Sequence, residues 1–394
     1  MTDGEEMPPD SISSIYLDYN ATTPLDPRVL EEMTSYFAEN YGNPSSIHSP
    51  GSVARAAVDS ARERVSDYLG ARPGEIVFTS GGSESNNFAI KGLAYALSDR
   101  GNHLVTTAVE HASCLETFRF LERSGFEVTY LPVDSFGLVS PDQFREAITE
   151  RTILVSCMYV NNETGVISPI RDIGEIARER GVVFHTDAVQ ALGKMEINLA
   201  DLPVDMASFS SHKICGPKGA GALYVRKGIG LEPFVHGGGQ ERGKRSGTEN
   251  VAAVCGFGYA CELLCAELET ENERLGKLRD RLFEELSRRV GDVYLNGHPD
   301  ARVSNTLNVG FPGTPGDSVV MNLDTAGVAV STGSACSEGN VDPSHVLIAM
   351  GLKEQEALCS VRFSFGRFTR SEEIDRVIEL LPAIVERIRT LQDF

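Results

Sequence analysis

The sequence has no Cys-x-x-Cys pair among its eight cysteines, which stand at 114, 157, 215, 255, 261, 265, 336 and 359. A chain of 394 residues buries a core large enough to need no disulfide staples. Free thiols and a reducing, cytoplasmic compartment are therefore expected. Cys261 and Cys265 lie four apart and share a helix face; they read as small buried apolar residues rather than as ligands of a metal or cluster. No uninterrupted run approaches the about 18 apolar residues of a membrane span. The opening Met-Thr-Asp-Gly-Glu-Glu lacks the basic flank and apolar stretch of a signal peptide, so none is expected. Positive charge is scarce. Only eight of the 36 Lys and Arg residues are lysine, and 56 acidic residues bring the formal net charge to −20. That balance argues against direct binding of nucleic acid and against an anionic membrane surface. Repeats and low-complexity segments are absent as well.

What is present is a rhythm of apolar strands and amphipathic helices. Residues 1–13 read as a polar tail, and Leu17–Leu25 as a short strand and turn. Asp26-Pro27 supplies an N-cap and first helical residue, and a second helix ends at Gly70. From Glu75 to about residue 225, strand and helix alternate. The nearly continuous apolar run Thr152–Val160 suits a parallel strand covered on both faces. This pattern predicts an open α/β sheet with ligands at the carboxyl ends of its strands. Glu249–Arg289 reads as one long helix bridging two units. Short strands, a Gly/Ser-rich loop over 331–340, a strand at Val361–Phe365 and a closing amphipathic helix follow it.

Several residues at strand ends carry chemistry. Lys213 lies in Ser210-Ser-His-Lys-Ile-Cys-Gly-Pro between two predicted strands. A lysine shielded there has a lowered pKa and becomes a nucleophile for a Schiff base; a solvated lysine in a polar loop is the plain alternative. Gly81-Gly82-Ser83, between strand and helix, is a candidate phosphate turn, although Gly-Gly also makes ordinary turns. Asp187 closes a strand where a carboxylate can hold a pyridinium proton or simply cap a helix, and Gln190 follows three residues later. His111 also follows a strand and is placed to stack on an aromatic cofactor and pass protons. Taken together, a Schiff-base lysine, a phosphate turn, a pyridine-type acid and a histidine on successive strand ends describe a pyridoxal 5'-phosphate (PLP) site.

From about Tyr16 to Thr390 the sequence resembles the NifS/IscS-like cysteine desulfurases, a branch of the class-V aminotransferases. The resemblance rests on Leu-Asp-Tyr-Asn-Ala-Thr-Thr-Pro at 17–24, Gly-Gly-Ser-Glu-Ser-Asn-Asn at 81–87 and Asn-Asn-Glu-Thr-Gly at 161–165. It extends through Asp187-Ala-Val-Gln190, Ser210-Ser-His-Lys213, Arg245-Ser-Gly-Thr248 and Ser334-Ala-Cys336. It implies the α/β fold of the PLP-dependent transferases related to aspartate aminotransferase, with a mainly parallel sheet in the large domain. Residues 1–22 would be a tail joining the small domain, 23–262 the PLP-binding domain, and 263–394 the smaller α+β domain carrying the catalytic cysteine. Lys213 would hold the cofactor. Gly82, Ser83, Ser210, His212 and the partner subunit's Thr248 would bind its phosphate. Asp187 would pair with the ring nitrogen and Gln190 with the ring hydroxyl, while His111 would stack on the ring and act as acid and base. Asn162 would contact the cofactor and, with Arg362, the substrate carboxylate, which suits the guanidinium fork. The family's phosphate turn often has Thr where this chain has Ser83; the hydroxyl is kept.

Cys336, in Ser331-Thr-Gly-Ser-Ala-Cys-Ser-Glu-Gly-Asn, sits among small and polar residues, which predicts an exposed, mobile thiol rather than a core one. The resemblance implies a homodimer that takes sulfur from L-cysteine, leaves a Cys336 persulfide and releases L-alanine. It also places the chain nearest the long-loop branch, which passes sulfur directly to scaffold proteins. The acceptor would serve iron–sulfur cluster assembly, tRNA thiolation or another sulfur pathway. No intrinsic metal is expected, although Cys336 is a candidate ligand to a cluster shared with a scaffold partner. The rival readings are a selenocysteine lyase or aminotransferase of the same fold, and a partner-dependent sulfur-relay protein such as one serving DNA phosphorothioation.

Overall fold

The helices and strands follow the punctuation of the sequence. In the computed structural model, residues 14–332 and 342–392 are described. The chain opens with β1 (Ile15–Tyr16), α1 (Pro27–Ala38) and α2 (Ser49–Leu69). Asp26 caps α1 by accepting from the Arg28 backbone N–H, and Gly70 ends α2 in the left-handed region at φ 62°. The alternating part comprises β2 (Ile76–Thr79), α3 (Gly82–Ala96), β3 (His103–Thr107), α4 (Ala112–Arg123), β4 (Glu127–Leu131) and α5 (Pro141–Ala147). It continues through β5 (Thr152–Ser156), α6 (Ile170–Glu179), β6 (Val183–Asp187), β7 (Met206–Ser210) and β8 (Gly221–Val225). Then come α7 (Val251–Val290), β9 (Tyr294–Leu295), β10 (Thr306–Gly310), α8 (Gly316–Thr325) and β11 (Val328–Ala329). The chain closes with α9 (His345–Ala349), α10 (Glu354–Ala357), β12 (Ser360–Ser364) and α11 (Ser371–Gln392).

The central sheet has the order β2-β8-β7-β6-β5-β3-β4. It is parallel except for β8, which runs antiparallel to both its neighbours. The carboxyl ends of β2, β3, β5, β6 and β7 therefore share one edge. Helices cover both faces, and β5, β7 and β8 are buried along their whole length.

Two further sheets lie outside this unit. β12-β10-β9 is antiparallel, and β1 pairs in parallel with β11 near the other end of the chain. Ile15 and Leu17 accordingly pack in a core otherwise drawn from Leu275 to Ile388. The long helix α7 enters this core with Leu275, Leu278, Leu282 and Leu286, after burying Ala253, Cys255, Phe257 and Cys261 in the core of the large sheet. One 18-residue stretch of α7 has a mean hydropathy of 1.6, long and apolar enough to cross a membrane by composition alone, and 56% of it is buried inside the protein. Cys265 departs from expectation. It is exposed, because the apolar stripe of α7 turns away at that point, while Cys261 stays buried. The strand expected over the whole run to Val160 stops at Ser156, and the remaining apolar residues fill the core as an extended loop.

Candidate active site

Asp187 closes β6 at the centre of the shared edge, and its carboxylate is fixed from two sides. Oδ1 accepts from the Val189 backbone N–H at 3.0 Å, and Oδ2 accepts from Asn86 Nδ2 at 2.7 Å. The same Asn86 nitrogen donates to Ser113 Oγ at 2.9 Å, and Ser113 Oγ lies 2.8 Å from His111 Nδ1. His111 caps α4, with Nδ1 accepting the Ser113 backbone N–H at 3.1 Å. A ring nitrogen that accepts a backbone N–H carries no proton, so the neutral ring holds its proton on Nε2. The ring lines a concavity of the protein, and desolvation there keeps its pKa below the ordinary value.

Lys213 ends the tight turn that follows β7. Its amine donates to the Asn20 carbonyl and, at 2.8 Å, to that of Ala21. Burial, with Arg362 nearby, lowers its pKa to about 8. His212, whose Nδ1 lies 3.1 Å from Thr22 Oγ1, is lowered to about 4 by burial and by Lys213, and is neutral near pH 7. Ser210 Oγ is buried without a hydrogen-bond partner among the described residues. Above it, Gly81 and Gly82 open α3. A Cβ on Gly82 would stand 2.7 Å from Val189 Cγ2, so a larger residue would have to displace that side chain.

Arg362, on β12, faces this edge from the other core. Its Nη2 pairs with Asp18 Oδ1 at 2.7 Å and its Nη1 donates to the Asn162 carbonyl at 3.0 Å. Its Nε is buried with no partner among the described residues. Two acids lie behind these groups. Glu110, next to His111, accepts from Thr107 Oγ1 and the Met158 N–H at 2.8 Å each, and burial pushes it up to about 8. Glu163, bonded to the Ser344 hydroxyl, is pushed up to about 7 by burial.

A cavity of about 380 Å³ collects the site. Every cofactor and substrate residue expected from the sequence lines it, with one exception among the described residues. That exception is Thr248, which is exposed and follows Arg245, whose guanidinium pairs with Glu84 of α3 at 2.8 Å. Cys336 lies outside the described residues. The sequence reading did not single out Asn20, Asn86 or Ser113, all of which line the cavity. Asn20 and Asn86 stand inside the quoted motifs, which was the available signal.

The model of the aminotransferase class-V family matches residues 15–377. A protein of Methanosarcina thermophila named cysteine desulfurase IscS is 50% identical over 378 residues, spanning 96% of this chain and 93% of its own. Another of that name, from Dictyoglomus turgidum, is 49% identical over 380 residues, 96% of each chain. Among solved structures, one titled NifS-like protein superposes with a TM-score of 0.90 at 39% identity, covering 95% of this chain and all of its own. One titled SspA in complex with cysteine gives 0.81 at 42% identity, covering 89% of this chain and 99% of its own.

Proposed function

The chain belongs to the NifS/IscS-like cysteine desulfurases of the class-V aminotransferase family, and from that premise we propose how its residues divide the work. The cofactor of such an enzyme is pyridoxal 5'-phosphate, and the residues present fit it. Ser210 Oγ is an orphaned buried hydroxyl, a Cβ at Gly82 would crowd Val189, and Asp187 lines the cavity with a fixed carboxylate. Gly82, Ser83, Ser210 and His212 would take the phosphate, Asp187 the ring nitrogen, Gln190 the ring hydroxyl and Lys213 the aldehyde carbon. Bound there, the ring draws electrons from the bonds at the substrate's α-carbon.

L-Cysteine is the substrate. Its carboxylate meets Arg362, whose Nε has an unused donor, beside Asn162. Lys213, lowered to about 8, takes and returns a proton at the α-carbon. His111, protonated at Nε2, serves as the second acid. The Cys336 thiolate then bonds to the substrate sulfur as the carbon–sulfur bond breaks. The carbon keeps the electron pair and gains a proton, giving L-alanine and a Cys336 persulfide. None of the seven described cysteines lines the cavity, which supports the reading of Cys336 as the nucleophile. The persulfide passes to an acceptor protein, such as an iron–sulfur scaffold, in a reducing cytoplasm.

The protein acts as a homodimer in which the partner subunit's Thr248 completes the phosphate site. A run of exposed apolar side chains, Phe37, Tyr41 and Ile47 with Leu30 and Val53, offers the face for a second copy.

The observation that carries this reading is a lysine of lowered pKa facing a fixed carboxylate, a histidine and an arginine in one cavity. The test is alanine formation from L-cysteine in the presence of a thiol reductant. Cys336→Ala should keep the visible absorbance of the cofactor and lose alanine formation; Lys213→Ala should lose both. Full turnover by Cys336→Ala refutes the nucleophile.

A further inference from the structure

Lys194 is a second lysine under the cavity, and no acid pairs with it among the described residues. Its side chain is buried, and its amine donates to Gln190 Oε1 and, at 2.9 Å, to Asn20 Oδ1. Its charged neighbours are the cations Lys213 and Arg362, which with burial hold its pKa well below the lysine range. Placing an amine against two cations in a dry site is costly. A methionine would fill a similar volume without that cost, so the hydrogen bonds are what the lysine adds. The chain reaches this position through Gly193 at φ 72°, where a Cβ would stand 2.7 Å from Ile214 Cγ2.

These bonds decide which way an amide faces. Gln190 turns its oxygen to Lys194 and gives one N–H to the Asn20 carbonyl at 3.0 Å. The second N–H is left for the cavity that Gln190 lines. Reversing the amide would set its oxygen against the Asn20 carbonyl and its nitrogen against the lysine. Asn20 is itself held by the same amine, by Asn305 Nδ2 at 3.1 Å, and through its own Nδ2 by Thr306 Oγ1 at 2.9 Å. The carbonyl of Asn20 is also the one on which the Lys213 amine rests.

We infer that Lys194 is a positioning residue for the desulfurase reaction, fixing the Gln190 amide with an N–H toward the cavity and pinning Asn20 beneath Lys213. The inference rests on the reading that Gln190 meets the ring hydroxyl of the cofactor.

The test compares Lys194→Met, Gln190→Met and the double variant, each loaded with pyridoxal 5'-phosphate, by the pH midpoint of the visible absorbance. Lys194→Met should move the midpoint in the same direction as Gln190→Met, and the double variant should move it no further. The kcat for alanine should fall about tenfold in Lys194→Met, as for loss of an outer-shell partner, with the KM for L-cysteine little changed. Lys194→Gln, which keeps an N–H donor without the charge, should return the midpoint toward that of the unaltered protein. A Lys194→Met midpoint that does not move while that of Gln190→Met does overturns the inference, as do shifts that simply add. A Gln190→Met midpoint that does not move overturns the Gln190 reading instead. Thermal unfolding of the apoproteins checks folding; if Lys194→Met does not fold, Lys194→Leu, which also lacks a donor, is put through the same cycle, and additive shifts there overturn the inference.

Discussion

Lys213 shows how far burial shifts a single group. At an ordinary pKa of about 10.4, roughly four lysine amines in ten thousand are neutral at pH 7; at about 8, roughly one in ten is. Only the neutral amine attacks an aldehyde, and the neutral fraction rises with pH. The rate at which the apoprotein takes up pyridoxal 5'-phosphate should therefore climb with pH to a midpoint near 8, measured by stopped-flow absorbance. A rate still rising steeply above pH 10 would show an unshielded lysine. At this scale much of the site is legible in the sequence. Lys213, Asp187, His111 and Ser210 all follow or close strands, and the period of the apolar residues marks those strands. Asn86 and Ser113 are not legible in the same way. Their role lies in contacts to one another and to Asp187, across 27 and 101 residues, and an isolated Asn or Ser gives no sign of such a partner.

Among the elements, the segment from Gly237 to Thr248 has the least regular backbone near the site. Glu241 and Arg242 are non-glycine residues at φ 44° and 60°. They are held there by one buried acid. Glu241 pairs with Arg62 of α2 through two oxygens, at 2.7 and 2.8 Å, and accepts the Phe78 N–H of β2 at 2.9 Å. Removing one partner of such a buried pair strands the other charge, at a cost of about 3–5 kcal/mol. Glu241→Ala should lose stability on that order in urea unfolding. It should also weaken cofactor retention in the assembled protein, since the segment carries Thr248, the proposed phosphate ligand. A loss within ~0.5 kcal/mol, the range of an ordinary surface change, would show that the pair does not hold the segment. Sequence period was informative for the long helices and silent on two other elements. The short helix α5 announces itself only through its capping box, Ser140 with Gln143. The reversed direction of β8 depends on the connection through Lys213 between β7 and β8, which apolar spacing does not encode.

For the whole molecule, the exposed apolar run on α1 and the turn before α2 bears on assembly. Ile47 is fully exposed and Phe37 is 65% exposed, which an isolated chain gains nothing by presenting. Phe37→Glu with Ile47→Glu should yield a monomer by light scattering, with impaired cofactor retention on the proposed role of the partner subunit's Thr248. An unaltered protein that is monomeric and fully active would refute the dimer. The change of pattern on either side of α7 reads as a long helix bridging two units, and α7 contributes to both the core of the large sheet and the core around residues 275–388. That residues 15–17 cross over to join the second core was not readable from their own spacing, because β1 is two residues long and its partner β11 is more than 300 residues away.

Asn20 adds a consequence in time. Its backbone N–H is held by Ser364 Oγ, 344 residues on, and its side chain by Thr306. During synthesis the sheet edge with Asp187 and Lys213 emerges long before Arg362 and Ser364. A nascent chain can thus carry most of the cavity without the clamp that closes it. The enzyme matures only when its two ends meet, so a chain truncated in its last strand is not a weak desulfurase but an unfinished one.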